Sequence, residues 1–477
     1  MKEFLWKTVP VSLSVLCSEK IFKAVSLVSP KLIALIDNYL DPGEDLKRLF
    51  LSVSVGLISS HILRRRLIRL LLIYRGAFTK PKSVLTKLWG LMMKLCVYEN
   101  PSTHEYEYFL PRLSVPSVKA TLKQISKSVR PTIKHNSGEE RLRKFDKALE
   151  KFQKESWKAQ LLLHFRSWTK TSSWLTDLWQ DYAYLSSRDS LCRTSNYYAA
   201  DSMFHGTSSQ ADRAANMIYW SNKFYDDLEN ETFDPIVLGG IIPASMKIFE
   251  MWSATRVPGK EKDKLNSTLA SKHVTVLYAG RIFILEPYSY GRLACPSVIK
   301  AKLDSILRKP EKSPSFSIAS LTSLKRATWY ELRKNLPKKE LKLIESSRFC
   351  VVLDQKAIIG DADEHKAGQW GGQCGNIWYD KSVNINVHKN ARVTFNCEHS
   401  VGEATMFGMF DVFIMGRESY DSKGNCLDIK DAGKTVECYE LNLPKPDENC
   451  RAAVAKLEEM KDYSIFEYNF KSFDEKL

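Results

Sequence analysis

Residues 383–403 read VNINVHKNARVTFNCEHSVGE. Apolar side chains recur at every second position in two places. Val383–Val387 is therefore a short strand candidate, and 391–397 alternates again with Val393 and Phe395 on one face. His399 follows immediately and opens the turn Ser400-Val401-Gly402-Glu403-Ala404, where small residues crowd together. A carboxylate, Glu403, stands four positions beyond the histidine. A histidine at a strand-to-loop junction beside a carboxylate can be held in one tautomer and made more basic, which suits a general base. A structural histidine fits the same spacing.

Working outward, Phe349–Leu353 is another short strand candidate. Val274–Tyr278 and Arg281–Leu285 flank Ala279-Gly280 and read as a hairpin. Between the later strands lies Asp361–Gly375, whose four glycines do not lead from a strand into a helix. It reads as a surface loop rather than a phosphate cradle, and 308–317 reads as another loop. Upstream, 139–152 is strongly charged, and 157–185 carries Trp and Leu at helical spacing. Both predict helices, with the tryptophans of 163–185 packed in the core.

Pro101, Pro111 and Pro116 mark an extended entry to a new domain. The expected organisation is an N-terminal region over 1–100 and a larger domain over 101–477. Within the first region, 49–63 (LFLSVSVGLISSHIL) is uncharged and is followed by Arg64, Arg65, Arg66 and Arg69. It is shorter than the roughly 20 residues of a membrane span. Snorkelling arginines would extend it to about residue 74 and stay on the cytosolic side. Residues 49–74 are thus expected to tether the chain to a membrane; the alternative is an amphipathic or buried helix. Segment 8–39 is too interrupted by charge and proline to span.

Of the 477 residues, 44% are hydrophobic and 26% charged, so a folded chain is the default. The net charge of +16 would attract nucleic acid, anionic lipid or phosphate-bearing small molecules. No nucleic-acid-binding motif is present, which disfavours the first. The ten cysteines are scattered without a C-x-x-C pair, as expected of reduced thiols and not of a zinc site. His61, His104, His135, His164, His205, His273, His365 and His388 have no partner at metal-ligand or triad spacing and read as structural. There is no G-x-S-x-G elbow, Walker loop or H-E-x-x-H motif. No metal is expected.

Asn396-Cys397-Glu398-His399-Ser400-x-x-Glu403 resembles the active-site signature of the choline/carnitine acyltransferases. Leu110-Pro111-Arg112-Leu113-x-Val115-Pro116 is similar to that family's opening signature. Trp179, Ala183-Tyr184-Leu185, Arg188 and Ser195-Asn196-Tyr197-Tyr198 resemble its tryptophan-rich helix and the strand after it. Arg256-Val257-Pro258-Gly259, Ser271-Lys272-His273, Leu321-Thr322-Ser323 and Trp378-Tyr379-Asp380-Lys381-Ser382 fall in family order. The resemblance covers about 100–475. Leu70–Gly76 and Ser128-Val129-Arg130-Pro131 look like the membrane-anchored carnitine palmitoyltransferases of the mitochondrial outer membrane.

The resemblance implies an α/β fold: a mixed sheet flanked by helices, like the N-terminal part of the coenzyme A-dependent acyltransferase fold, behind a helical N-terminal membrane segment. It implies acyl exchange between coenzyme A and carnitine, with His399 as catalytic base, Glu403 supporting it, and Trp179 and Tyr184 lining the carnitine pocket. Acyl-CoA and carnitine would be substrates, with no further cofactor, at the mitochondrial outer membrane facing the cytosol. The family's coenzyme A segment and Ser-Thr-Ser motif lie beyond the resemblance. The expectation is therefore an incomplete acyltransferase domain. The competing expectation is a catalytically inactive truncated homologue, membrane-tethered, that binds a full-length relative or itself.

Overall fold

The computed structural model describes residues 9–16, 44–71, 83–96, 115–169, 174–201, 206–230, 253–268, 271–310, 317–358, 375–430 and 432–459, together with 74, 232, 237–238 and 242–243. The chain divides into two units. One comprises Met1–Asp177 with Asp234–Lys247, and the other Leu178–Phe233 with Ile248–Leu477.

In the second unit the alternating stretches form strands. We number those of its main sheet β1 (Tyr197–Ala200), β2 (Val274–Tyr278), β3 (Arg281–Glu286), β4 (Cys350–Leu353), β5 (Val383–Val387), β6 (Val393–Cys397) and β7 (Glu437–Glu440). The sheet has seven strands in the order β1-β6-β5-β4-β2-β3-β7. β4 runs parallel to β5 and β2, and every other neighbouring pair is antiparallel. The sheet is therefore mixed, as expected. β2 and β3 join through Ala279 and Gly280, both at positive φ, which is the hairpin read from the sequence. β5 and β6 pair with Val383 opposite Cys397 and Val387 opposite Val393, so the chain reverses over His388–Arg392. Ala391 takes φ 64° in that turn, a conformation its β-carbon disfavours.

Helices cover both faces of the sheet, because β2, β4, β5 and β6 are buried along their whole length. Gln210–Glu229 contacts β4, β5, Pro296–Leu307 and Ala404–Met415. Phe395 of β6 meets Phe407 at 4.8 Å between ring centroids, and Phe224 meets Phe413 at 4.9 Å. A second core joins Leu277, Ile284 and Val352 of the sheet to Leu321, Trp329, Leu341 and Trp378. Glu448–Glu459 closes this core through Ala453 and Leu457.

The other unit is helical where it is described. Glu44–Leu71 is one helix of 28 residues. It covers most of 49–74, the stretch expected either to tether the chain or to form an amphipathic or buried helix. Among the described residues, no helix is long and apolar enough to cross a membrane. The reason is local: the uncharged run 49–63 is bounded by Lys47 and Arg48 before it and by Arg64–Arg66 after it. Leu51, Ser52, Ser60, Arg64 and Ile68 are buried, so the helix has a protein-facing side. Trp89 of Val84–Cys96 donates its indole N–H to Leu71 O at 2.7 Å. Val118–Thr169 is helical but broken at Gly138, whose φ of 75° and ψ of 177° separate two segments. The charged helix read from 139 thus begins at that break. The expectations for 101–114 and for most of the glycine-rich loop 361–375 fall outside the described residues.

Candidate active site

β6 ends at Cys397, and Ala404–Met415 begins with Glu403 as its N-cap. His399 therefore sits in a strand–turn–helix junction, where small residues let the chain reverse. Its Nε2 lies 3.4 Å from Glu403 Oε2. The His399 side chain is 30% exposed and that of Glu403 64%. In the tautomer that donates Nε2–H to Glu403, the lone pair lies on Nδ1.

Two tyrosines bracket the imidazole. Tyr197 of β1 lies directly opposite Cys397 in the sheet, and its ring meets that of His399 edge-on at 5.1 Å. Tyr184 approaches to 5.2 Å from the other element. That element is a π-helical turn, Gln180–Leu185, which follows the short helix Thr176–Trp179. Its signature is the Ser186 N–H donating to Asp181 O at 3.0 Å. Gln180 at its start donates from Nε2 to Ser400 O at 3.0 Å. Burial raises the Tyr184 phenol above its usual range; a hydrogen bond from Trp179 opposes this, and the charges of Glu403 and Glu398 add to it.

Of the residues expected in the site, the structure gathers His399, Glu403 and Tyr184, with Trp179 at the start of the turn that carries Tyr184. Trp179 departs from the core position expected of its segment, because its side of the turn faces solvent and it is 52% exposed.

Beneath the turn lies a charge network that motif reading did not anticipate. Glu398 is fully buried and accepts from Arg256 Nη1 at 3.0 Å. Arg256 Nε donates to Asp263 Oδ2 at 2.9 Å, and Arg326 Nε donates to the same oxygen at 2.6 Å. Arg326 continues to Asp380, which also takes the Trp329 indole N–H at 2.7 Å. Arg188 reaches Asp263 Oδ1 at 2.7 Å from the rim. Three arginines thus face three carboxylates. Burial works against the charge on Arg326, but Asp380 and Asp263 outweigh it and raise its pKa. Next to Asp380, burial pushes the Lys381 ammonium down to about 8, and its Nζ donates to Thr255 Oγ1 and Glu345 O. The blocks around Arg188, Arg256 and Asp380 therefore meet in space. What their spacing could not reveal is that Asp263 and Arg326 complete them.

The remaining described histidines of this unit are structural, as read. His388 is fully buried between Thr394 and Asp354, and His273 bonds Ser271 and Leu343 O. The eight described cysteines are free. Among the described residues no group of His, Cys, Asp and Glu could hold a metal ion. What the arrangement offers chemically is an accessible imidazole with a carboxylate beside it and a rigid backbone beneath.

The family model for Choline/Carnitine o-acyltransferase matches residues 113–474. This chain belongs to that family. It is 31% identical over 386 residues to the human muscle isoform of carnitine O-palmitoyltransferase 1, covering 76% of this chain and 49% of that protein. The human liver isoform is 31% identical over 384 residues, covering 75% and 49%. Human mitochondrial carnitine O-palmitoyltransferase 2 is 27% identical over 343 residues, covering 64% and 51%. The chain spans about half the length of these relatives.

Proposed function

We propose that this family member supplies the general-base side of a carnitine O-acyltransferase of the long-chain, palmitoyl type. The observation that supports this is the accessible His399 imidazole, held between Tyr184 and Tyr197 with Glu403 at 3.4 Å. In the forward direction the imidazole takes the proton of the carnitine hydroxyl. The resulting oxygen attacks the thioester carbonyl, the carbon–sulfur bond breaks, and the imidazolium returns its proton to the departing thiolate. The products are acylcarnitine and coenzyme A. Glu403 steadies the imidazolium while it carries the proton. Trp179 and Tyr184 offer aromatic faces to carnitine's quaternary ammonium. The proposed location is the mitochondrial outer membrane, facing the cytosol, as the resemblance of 70–76 implies. The basic surface suits coenzyme A's phosphates and anionic lipid.

The test is acyl transfer from palmitoyl-CoA to carnitine by the folded protein beside His399→Ala. Turnover that disappears in the variant supports the reading. No turnover in either, with both folded, overturns it in favour of a non-catalytic, membrane-associated binding protein. Pull-down of a full-length relative or of a second copy would then be the next measurement.

A further inference from the structure

Glu398 and Ser400 stand on either side of His399, and both are tied to one carboxylate. Glu398 Oε2 accepts the Ser400 backbone N–H at 3.0 Å and the Ser400 hydroxyl. Its other oxygen takes Arg256 Nη1 at 3.0 Å and the Ser195 hydroxyl at 3.4 Å. The backbone is pinned as well: Glu398 N–H donates to Ser382 O at 3.1 Å, and Ser400 O receives Gln180 Nε2 at 3.0 Å. The His399 ring packs against Tyr184 and Tyr197, and its one polar side-chain contact is a long one to an exposed carboxylate.

Arg256 adds a second connection. Its Nη2 donates to Tyr184 O, while Nη1 holds Glu398. One buried guanidinium thus fixes both the residue before His399 and the backbone of the tyrosine against its ring. Asp263 also bonds Arg256 at 2.9 Å, but it is shared with Arg326 and Arg188, so Glu398 completes the charge balance. Glu398 adds reach as well, from the guanidinium to the amide on the far side of His399.

We propose that Glu398 is a positioning residue for His399, acting with Arg256 to set the imidazole against Tyr184. The proposal rests on the general-base reading for its kinetic consequence but not for its structural one. It is not satisfied by charge alone. Aspartate in its place keeps the charge and is one methylene too short to bridge Arg256 and Ser400.

The experiment follows the His399 ring by histidine-selective isotope labelling and NMR, with His399→Ala assigning the signal, alongside kcat and KM for carnitine. In Glu398→Asp and Glu398→Gln the His399 ring resonances should shift or broaden. kcat should fall about 10- to 100-fold, the scale of a misplacement near 1 Å, while KM moves much less. Ser400→Ala, which removes only the hydroxyl, should shift the same signal in the same direction and guards against misfolding of the glutamate variants. Trp329→Phe is the control: it weakens the far end of the network at Asp380 without touching Glu398. Unchanged His399 resonances in all three variants would overturn the proposal. So would an equal shift in Trp329→Phe, since that would report general loosening. If the wild type shows no turnover, the general-base reading fails, and the ring signal still decides whether Glu398 positions His399.

Discussion

His399 and Glu398 are neighbours in the chain and opposites in surroundings. The imidazole is 30% exposed and has one charged contact, at 3.4 Å to a carboxylate that is itself 64% exposed. Glu398 is fully buried and belongs to a network of Arg256, Asp263, Arg326 and Asp380 joined by ionic hydrogen bonds of 3.0 Å or less. A proton-transferring group has to remain accessible, so water and substrate compete with every bond that would hold it. Rigidity then comes from the layer beneath, where water is excluded. Buried ion pairs seldom exceed an apolar core in stability. Their presence here is better understood as fixing one geometry under the turn that carries His399.

The first way to break that comparison is to remove the exposed partner. His399→Ala should lower acyl transfer about 100- to 10,000-fold, the usual range for a lost general base. Its unfolding free energy should move by about 1 kcal/mol, as for a half-buried side chain outside the core. Denaturant titration beside the kinetic assay checks both. A large loss of stability would mean that the histidine is part of the scaffold.

The complementary change removes the centre of the buried layer. Asp263→Ala removes the carboxylate that Arg256 and Arg326 share, leaves three buried or half-buried arginines to two carboxylates, and should cost about 3–5 kcal/mol. Chemical denaturation measures this directly. A cost below that of an ordinary surface substitution would show that water enters the network. A smaller effect belongs to Trp329→Phe, which deletes one hydrogen bond to a charged acceptor and should cost about 1.5–3 kcal/mol.

The two layers also differ in how far they can be read from sequence. β5, β6 and the β2–β3 hairpin follow from alternation and from Ala279-Gly280, because strand period and turn chemistry are local properties. The nearness of Glu403 to His399 follows from their four-residue spacing across a turn, but the helix that begins at Ala404 was not read. The network was not legible. Asp263, Arg326 and Asp380 lie on separate elements and become partners only when the sheet and its flanking helices assemble. The π-turn over 180–185 was hidden too, because Trp and Leu spacing predicts a helix without predicting its hydrogen-bond register. Glu44–Leu71 was legible as a helix, but its apolar run fits a tether and a buried helix equally; only the assembled structure shows that Arg64 and Ile68 lie on a buried face.

The smallest effect sharpens the contrast with another buried charge cluster in the same unit. Glu418 forms an ion pair with Arg213, Oε2 to Nε 2.7 Å, and accepts the Tyr420 hydroxyl at 2.6 Å, with Asp201 on the same guanidinium. Burial raises its carboxyl from 4.5 to about 7, against the pull of Arg213, and Asp411 nearby rises to about 6. The folded protein therefore holds the Glu418 proton between pH 4.5 and about 7, where the unfolded chain has released it. The stability this confers is complete below the lower value and is lost as pH rises to the upper one. One group can contribute at most about 1.4 kcal/mol per pH unit to that slope. Glu418→Gln cannot titrate, so its stability relative to the wild type should increase steadily from pH 5 to pH 7 and then level off. Urea midpoints at pH 5, 6, 7 and 8 for both proteins give this difference, with the contribution of Asp411 cancelling to first order. Parallel curves would mean that Arg213 keeps Glu418 ionised throughout. This cluster would then be balanced in the same way as the network beneath His399.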